Sequence, residues 1–184
     1  DYADRLSEEM TGDVIVVGHS MGGLIGIELA TRNRHVKGLV LAASHYRLPV
    51  HPKFLQQLAD GHYPDKFFYA AYSKQADRQL LKEEKEEHDA TSIETAFRDF
   101  TSCNNYKSGK TKVSRLDFPI LAVYGAEDRM IPPDSREKLT TANPSIKTDT
   151  IDGAGHYVIL EASEAFAEAV LRFQHFCDDN IDSE

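Results

Sequence analysis

The sequence predicts an α/β fold, a mostly parallel sheet flanked by helices, with a helical segment inserted into it. Three observations predict this class. Val14-Ile15-Val16-Val17 and the run from Val36 to Ala43 are apolar without alternation, as strands covered on both faces of a parallel sheet are. Leu24 to Thr31, between them, reads as a helix, so strand, helix and strand follow in order. After a long polar stretch the same rhythm resumes with Pro119-Ile120-Leu121-Ala122-Val123-Tyr124, another apolar run closed by Gly125.

Each element has its own justification. Tyr2, Leu6 and Met10 form an i, i+4, i+8 stripe among charges, which predicts an amphipathic helix, and Thr11-Gly12-Asp13 a turn after it. From Ser44 to Phe118 the chain carries aromatic and charged residues at helical spacing, broken at Pro49, Pro52 and Pro64. Helices are expected over Phe54–Ala59, Lys66–Ser73, Gln75–His88 and Ser92–Cys103. In the third of these, Glu83 and Glu87 are a like-charge i, i+4 pair that belongs on a solvated face. Gly109-Lys110-Thr111 resembles the end of a phosphate loop, but Asn104 stands where the first glycine is required, so the segment is expected to be a turn. Beyond the third strand come a helix over Asp134–Thr141, a polar edge strand over Lys147–Ile151 and a closing helix over Glu161–Cys177. That last helix sets Phe166, Val170, Phe173 and Cys177 on one face. The expected organisation is a partial core of residues 1–44 and 119–184 with residues 45–118 as the insertion.

Composition excludes several classes. With 21 Lys and Arg against 30 Asp and Glu, the formal charge is −9 and no stretch is dominated by cations, so a nucleic-acid partner is not expected. No apolar run approaches about 18 residues, so no membrane-spanning helix is encoded. Cys103 and Cys177 lie far apart with no CxxC spacing, which fits reduced thiols and a cytoplasmic setting. The opening residues have neither an initiator Met nor a secretion-signal pattern, so the chain is expected to begin inside a longer gene product or after processing.

Gly18-His19-Ser20-Met21-Gly22 fits G-x-S-x-G between a buried strand and a helix, the context of a nucleophile elbow. A serine on so sharp a turn takes a strained backbone angle, and bulk at Gly18 or Gly22 is expected to collide across it. The turn would also aim the Met21 N–H at a developing oxyanion. A serine needs a base, and the base an acid that sets its tautomer. Gly125-Ala126-Glu127-Asp128 and Gly153-Ala154-Gly155-His156 follow later strands, placing Asp128 and His156 at the carboxyl edge where open parallel sheets bind ligands.

On these residues, with Gly23 extending the elbow and Glu161 beyond the histidine loop, the chain resembles the α/β-hydrolase superfamily from its first helix to its last. The resemblance implies Ser20 as nucleophile, His156 as general base and acid, Asp128 as its orienting partner, and residues 45–118 as the family's helical cap. It also implies a departure, because relatives place further strands, and usually a second oxyanion donor, before the elbow strand. In the family's strand order the elbow strand of this chain would be a bare edge through which association is expected.

The expected activity is hydrolysis of an ester or related small acyl compound through an acyl-enzyme, carboxylesterase-like. Thioesterase, carbon–carbon hydrolase, cofactor-free haloperoxidase and acyltransferase chemistry are alternatives, as is a non-catalytic or split module binding a partner by its sheet edge. No cofactor is expected. No metal is expected either, since His45, His51 and His62 lack helical ligand spacing and no HExxH occurs. His19 is expected to pack or hydrogen-bond, and most of the other histidines to lie at the surface. Phe54, Phe67, Phe68, Tyr69 and Tyr72 are candidates to line an acyl site, with packing between cap and core as the competing role.

Overall fold

A computed structural model describes residues 1–181. Four strands, β1 (Val14–His19), β2 (Val36–Ala42), β3 (Ile120–Gly125) and β4 (Lys147–Ile151), form one parallel sheet in the order β1-β2-β3-β4. The absence of alternation in their sequences has the expected cause. Leu39 and Leu41 of β2 face one apolar cluster with Leu24, Ile27, Ile120 and Ala122, while Val40 faces another with Leu121, Val123, Phe173 and Cys177. Leu39, Val40, Leu41 and Ala42 are wholly buried. At about 1.5–3 kcal/mol for each large apolar side chain removed from water, this central strand anchors the sheet.

Helix α1 (Tyr2–Glu9) opens with Asp1 in a capping box and packs on α2 (Met21–Arg32), burying Ala3 beside Leu29 and Val36. Between β2 and β3 the chain is helical: α3 (Pro52–Ala59), α4 (Asp65–Ala70), α5 (Arg78–Ala90), α6 (Ile93–Asn105) and α7 (Gly109–Val113). Asp77 and Ser92 cap α5 and α6 by accepting from backbone N–H groups of the first turn. Glu83 and Glu87 are exposed on α5, so their repulsion is screened by water. Cys103, Val113 and Leu116 share one apolar cluster with Leu24, Ile27 and Leu39, which joins the end of the helical segment to the sheet. After β3 come α8 (Ser135–Ala142), then β4, a short α9 (Val158–Glu161) and α10 (Ser163–Ile181).

Four local expectations are corrected. The segment at Gly109 is a helical turn, because Val113 must turn into the core, and the Lys112 ammonium pairs with the Glu28 carboxylate on α2. The closing helix starts at Ser163, since Ala162 at φ −138° and ψ 51° breaks it from the turn that holds Glu161. A side chain on Gly22 would meet no atom within 4 Å, so the steric constraint of the elbow falls on Gly18 and Gly23 instead. Of the seven histidines other than His156, only His51, His62 and His175 are exposed. His45 is buried against Tyr46, with ring centroids 3.8 Å apart, and burial lowers its pKa.

The strand carrying the elbow lies at the edge of the described sheet, with Val17 47% exposed. Cys103 and Cys177 are both free and buried. Among the described residues no helix is long and apolar enough to cross a membrane, and no cluster of potential ligands suits a metal ion.

Candidate active site

The elbow is built by contacts that only a residue without a side chain permits. A Cβ on Gly18 would lie 2.5 Å from the carbonyl carbon of Gly22 and 2.7 Å from the Gly23 nitrogen, so strand and helix backbones touch there. The chain then reverses at Ser20, which takes φ 50° and ψ −116°, a left-handed angle rare for a residue with a Cβ. Ser44, wholly buried just beyond β2, donates its hydroxyl to the Ser20 carbonyl at 2.7 Å and so braces the turn from the neighbouring strand. Ser20 occupies the N-cap position of α2, but its side chain makes no capping bond.

That hydroxyl instead faces His156. Ser20 Oγ lies 2.9 Å from His156 Nε2, and His156 Nδ1 lies 3.0 Å from Asp128 Oδ2. A carboxylate only accepts, so Nδ1 carries the proton and Nε2 of the neutral ring is left to accept from the Ser20 hydroxyl. Asp128 is held in turn: its Oδ1 accepts from the Met130 N–H at 2.7 Å and the Ile131 N–H at 3.2 Å. The Asp128 and His156 side chains are only 4% and 9% exposed, so this chain of bonds runs where water competes weakly.

The loops after β3 and β4 are packed backbone to backbone. A Cβ on Gly125 would stand 2.7 Å from the carbonyl carbon of Ala154, and the Glu127 N–H donates to the Ala154 carbonyl at 2.9 Å. Asp128 and His156, 108 and 136 residues from Ser20 in sequence, are thereby gathered with it beyond the carboxyl ends of β1, β3 and β4. Met21 is the first residue of α2, so its N–H belongs to the helix turn whose donors lack a carbonyl one turn earlier. Such a set can transfer an acyl group: a hydroxyl beside a base, a base beside a buried acid, and a backbone donor next to the nucleophile.

Other carboxylates around these loops have partners of their own. Glu127 Oε2 accepts from the Lys74 N–H at 3.0 Å, and Asp149 meets Arg172. Glu161 accepts from the Ser73 N–H at 2.8 Å with one oxygen and from the Gly155 N–H at 2.9 Å with the other. Together with Arg129, which donates to the Tyr72 carbonyl at 3.0 Å, these groups fasten residues 72–74 onto the acid and histidine loops. Reasoning from sequence missed this latch and the brace from Ser44, because their partners are backbone groups far away in the chain.

The aromatic residues named for an acyl site make ring contacts in two groups, and Phe54 and Phe67 also line a cavity with His51, Gln57 and Pro64. Phe54 and Phe67 stack at 3.8 Å within a cluster that includes Tyr63 and Phe100, and Tyr72 stacks on Tyr157 at 4.8 Å. Phe68 is buried beside Tyr72, while Tyr69 is half exposed. Beside the elbow, a cavity of about 750 Å³ is walled by Met21, Leu24, Ile25, Cys103 and Tyr106, with Glu28 and Lys112 among its polar groups.

Comparison with known proteins agrees with the fold. The sequence profile of the Alpha/beta hydrolase family matches residues 1–169. A pimeloyl-acyl-carrier-protein methyl ester esterase of Yersinia pseudotuberculosis serotype IB (strain PB1/+) is 25% identical over 191 residues, covering 94% of this chain and 74% of the relative. The protein of the same name from Neisseria meningitidis serogroup B / serotype 15 (strain H44/76) is 25% identical over 182 residues, covering 90% and 70%. A solved thermophilic esterase superposes with a TM-score of 0.84 at 26% identity, covering 96% of this chain and 72% of its own.

Proposed function

The chain belongs to the alpha/beta hydrolase family, and from that premise we propose that it is a serine carboxylesterase acting through an acyl-enzyme. The observation that carries the proposal is the continuous relay from Asp128 through His156 to Ser20, with bonds of 3.0 and 2.9 Å. In this reading Ser20 Oγ attacks the ester carbonyl while its proton passes to His156 Nε2, and Asp128 holds the imidazolium so formed. The Met21 N–H stabilises the tetrahedral oxyanion. The intermediate collapses with transfer of that proton to the departing alkoxide, which leaves as the alcohol. Water, deprotonated by His156, then hydrolyses the acyl-enzyme and frees the carboxylic acid.

Residues 45–118 serve in this reading as the cap over the acyl site. The names of the Yersinia and Neisseria relatives support a small acyl ester as the substrate class, a methyl ester of an acyl chain being one member. Two buried free thiols support a reducing, cytoplasmic setting. The test is turnover of p-nitrophenyl esters from acetate to octanoate, with Ser20→Ala as control. Hydrolysis that is lost in Ser20→Ala is expected. Wild-type rates equal to those of Ser20→Ala would overturn the proposal.

A second reading rests on the exposed Val17 edge of β1: the chain associates by adding a strand there. Light scattering across a concentration series tests it, with association expected and a monomer throughout contradicting it.

A further inference from the structure

The residue before the proposed nucleophile also reaches the proposed base. His19 ends β1, one peptide bond from Ser20, and its Nε2 lies 2.8 Å from the main-chain carbonyl oxygen of His156. A carbonyl only accepts, so His19 Nε2 carries the proton and donates. The same ring packs on the His156 imidazole with centroids 5.0 Å apart, and on Tyr157 at 5.2 Å. The backbone of His156 is pinned on its other side as well, since its own N–H donates to the Ala71 carbonyl at 2.7 Å.

We propose that His19 is a positioning residue for the base: its Nε2–H bond to the His156 carbonyl ties the elbow to the histidine loop and fixes the reach between Ser20 Oγ and His156 Nε2. Ser20 and His156 stand on different loops, with no covalent path shorter than 136 residues between them. The His19 bond bypasses that path with two backbone links, so a drift of the histidine loop must first break it. Burial, and then the neighbouring His156, lower the pKa of His19 to about 4. The ring therefore stays neutral beside His156, adding no positive charge next to the imidazolium formed in turnover.

The inference rests on His156 being the base, so it is tested by one readout that needs turnover and one that does not. A misplacement of about 1 Å in a reacting pair costs about 100-fold in rate. His19→Phe, which keeps the ring and removes the donor, is expected to lower kcat about 10- to 100-fold with KM within about twofold. His19→Gln, which restores an N–H donor, should recover most of that loss. An unchanged kcat in His19→Phe, or a His19→Gln no better than His19→Phe, would overturn the proposal. Histidine nitrogen NMR of the wild type should report the Nε2–H tautomer of His19 from pH 5 to 8, and an Nδ1–H tautomer would overturn it. If the wild type turns over no ester, the esterase reading falls and the tautomer alone decides the His19 bond.

Discussion

Replacing Asp128 by asparagine exchanges one oxygen for an NH₂ group, and the surroundings dictate which way the amide turns. Oδ1 accepts two backbone N–H groups, from Met130 and Ile131, so the amide oxygen must take that side. The NH₂ group is then forced toward His156 Nδ1, 3.0 Å away in the native chain. A donor facing Nδ1 selects the tautomer with its proton on Nε2. That proton points at Ser20 Oγ, 2.9 Å off, where a lone pair is needed to receive the serine proton. Loss of the correct tautomer in a triad of this type costs about 10⁴ in kcat, equivalent to about 5 kcal/mol of barrier. Stability should change little, because both backbone donors keep an acceptor and the volume is conserved. The assay is steady-state hydrolysis of p-nitrophenyl butyrate at pH 7.5 with thermal unfolding in parallel. A variant within tenfold of wild-type kcat, or one that loses activity only through unfolding, would refute the reasoning.

The elbow glycines should separate. Gly18→Ala drives a Cβ into the Gly22 backbone and should cost at least about 3 kcal/mol, or about 6–12 °C in Tm, whereas Gly22→Ala, with open space and a helical position, should be neutral or stabilising. Equal Tm losses for the two in calorimetry would contradict that assignment. Because the pKa of His19 falls from 6.5 to about 4 on folding, the unfolded chain binds the proton first between those values. The resulting stability is present above about pH 6.5 and lost as pH falls to about 4, at most about 3 kcal/mol. Denaturant titrations should therefore show a shallower acid decline for His19→Phe than for wild type, and identical slopes would count against burial as the cause. Glu161→Ala leaves the Ser73 and Gly155 N–H groups without their acceptor, at about 2–4 kcal/mol together, and should lower Tm by about 5–15 °C. A shift under 2 °C would mean that water replaces the carboxylate.

The sheet and the three side chains of the proposed relay were legible in the sequence because each follows from a local pattern: an apolar run, then a glycine-bounded loop holding one chemical group. The loops pointed to Ser20, Asp128 and His156, the resemblance to the α/β-hydrolases gave each its role, and hydrogen bonds join the three into one chain. Groups acting through a distant backbone atom were not legible. Nothing around Glu161 or Glu127 indicates that their acceptors meet Ser73 and Lys74, and nothing around Ser44 indicates the Ser20 carbonyl. Gly22 was misjudged because a motif gives residue spacing and not the direction of each missing Cβ. Gly109 was misjudged because the burial of Val113, a tertiary demand, outweighs the local turn signal. The aromatic residues between β2 and β3 have helical spacing whether they pack or line a site, so the sequence left both roles open.

A serine activated as described should be modified by a fluorophosphonate, which captures an activated hydroxyl without any need to know the substrate. Intact mass spectrometry followed by peptide mapping should find one adduct per chain, on Ser20, formed at a rate that falls steeply in His156→Ala and is absent in Ser20→Ala. A chain that stays unlabelled while folded, or one labelled equally well with Ser20 replaced, would contradict the account.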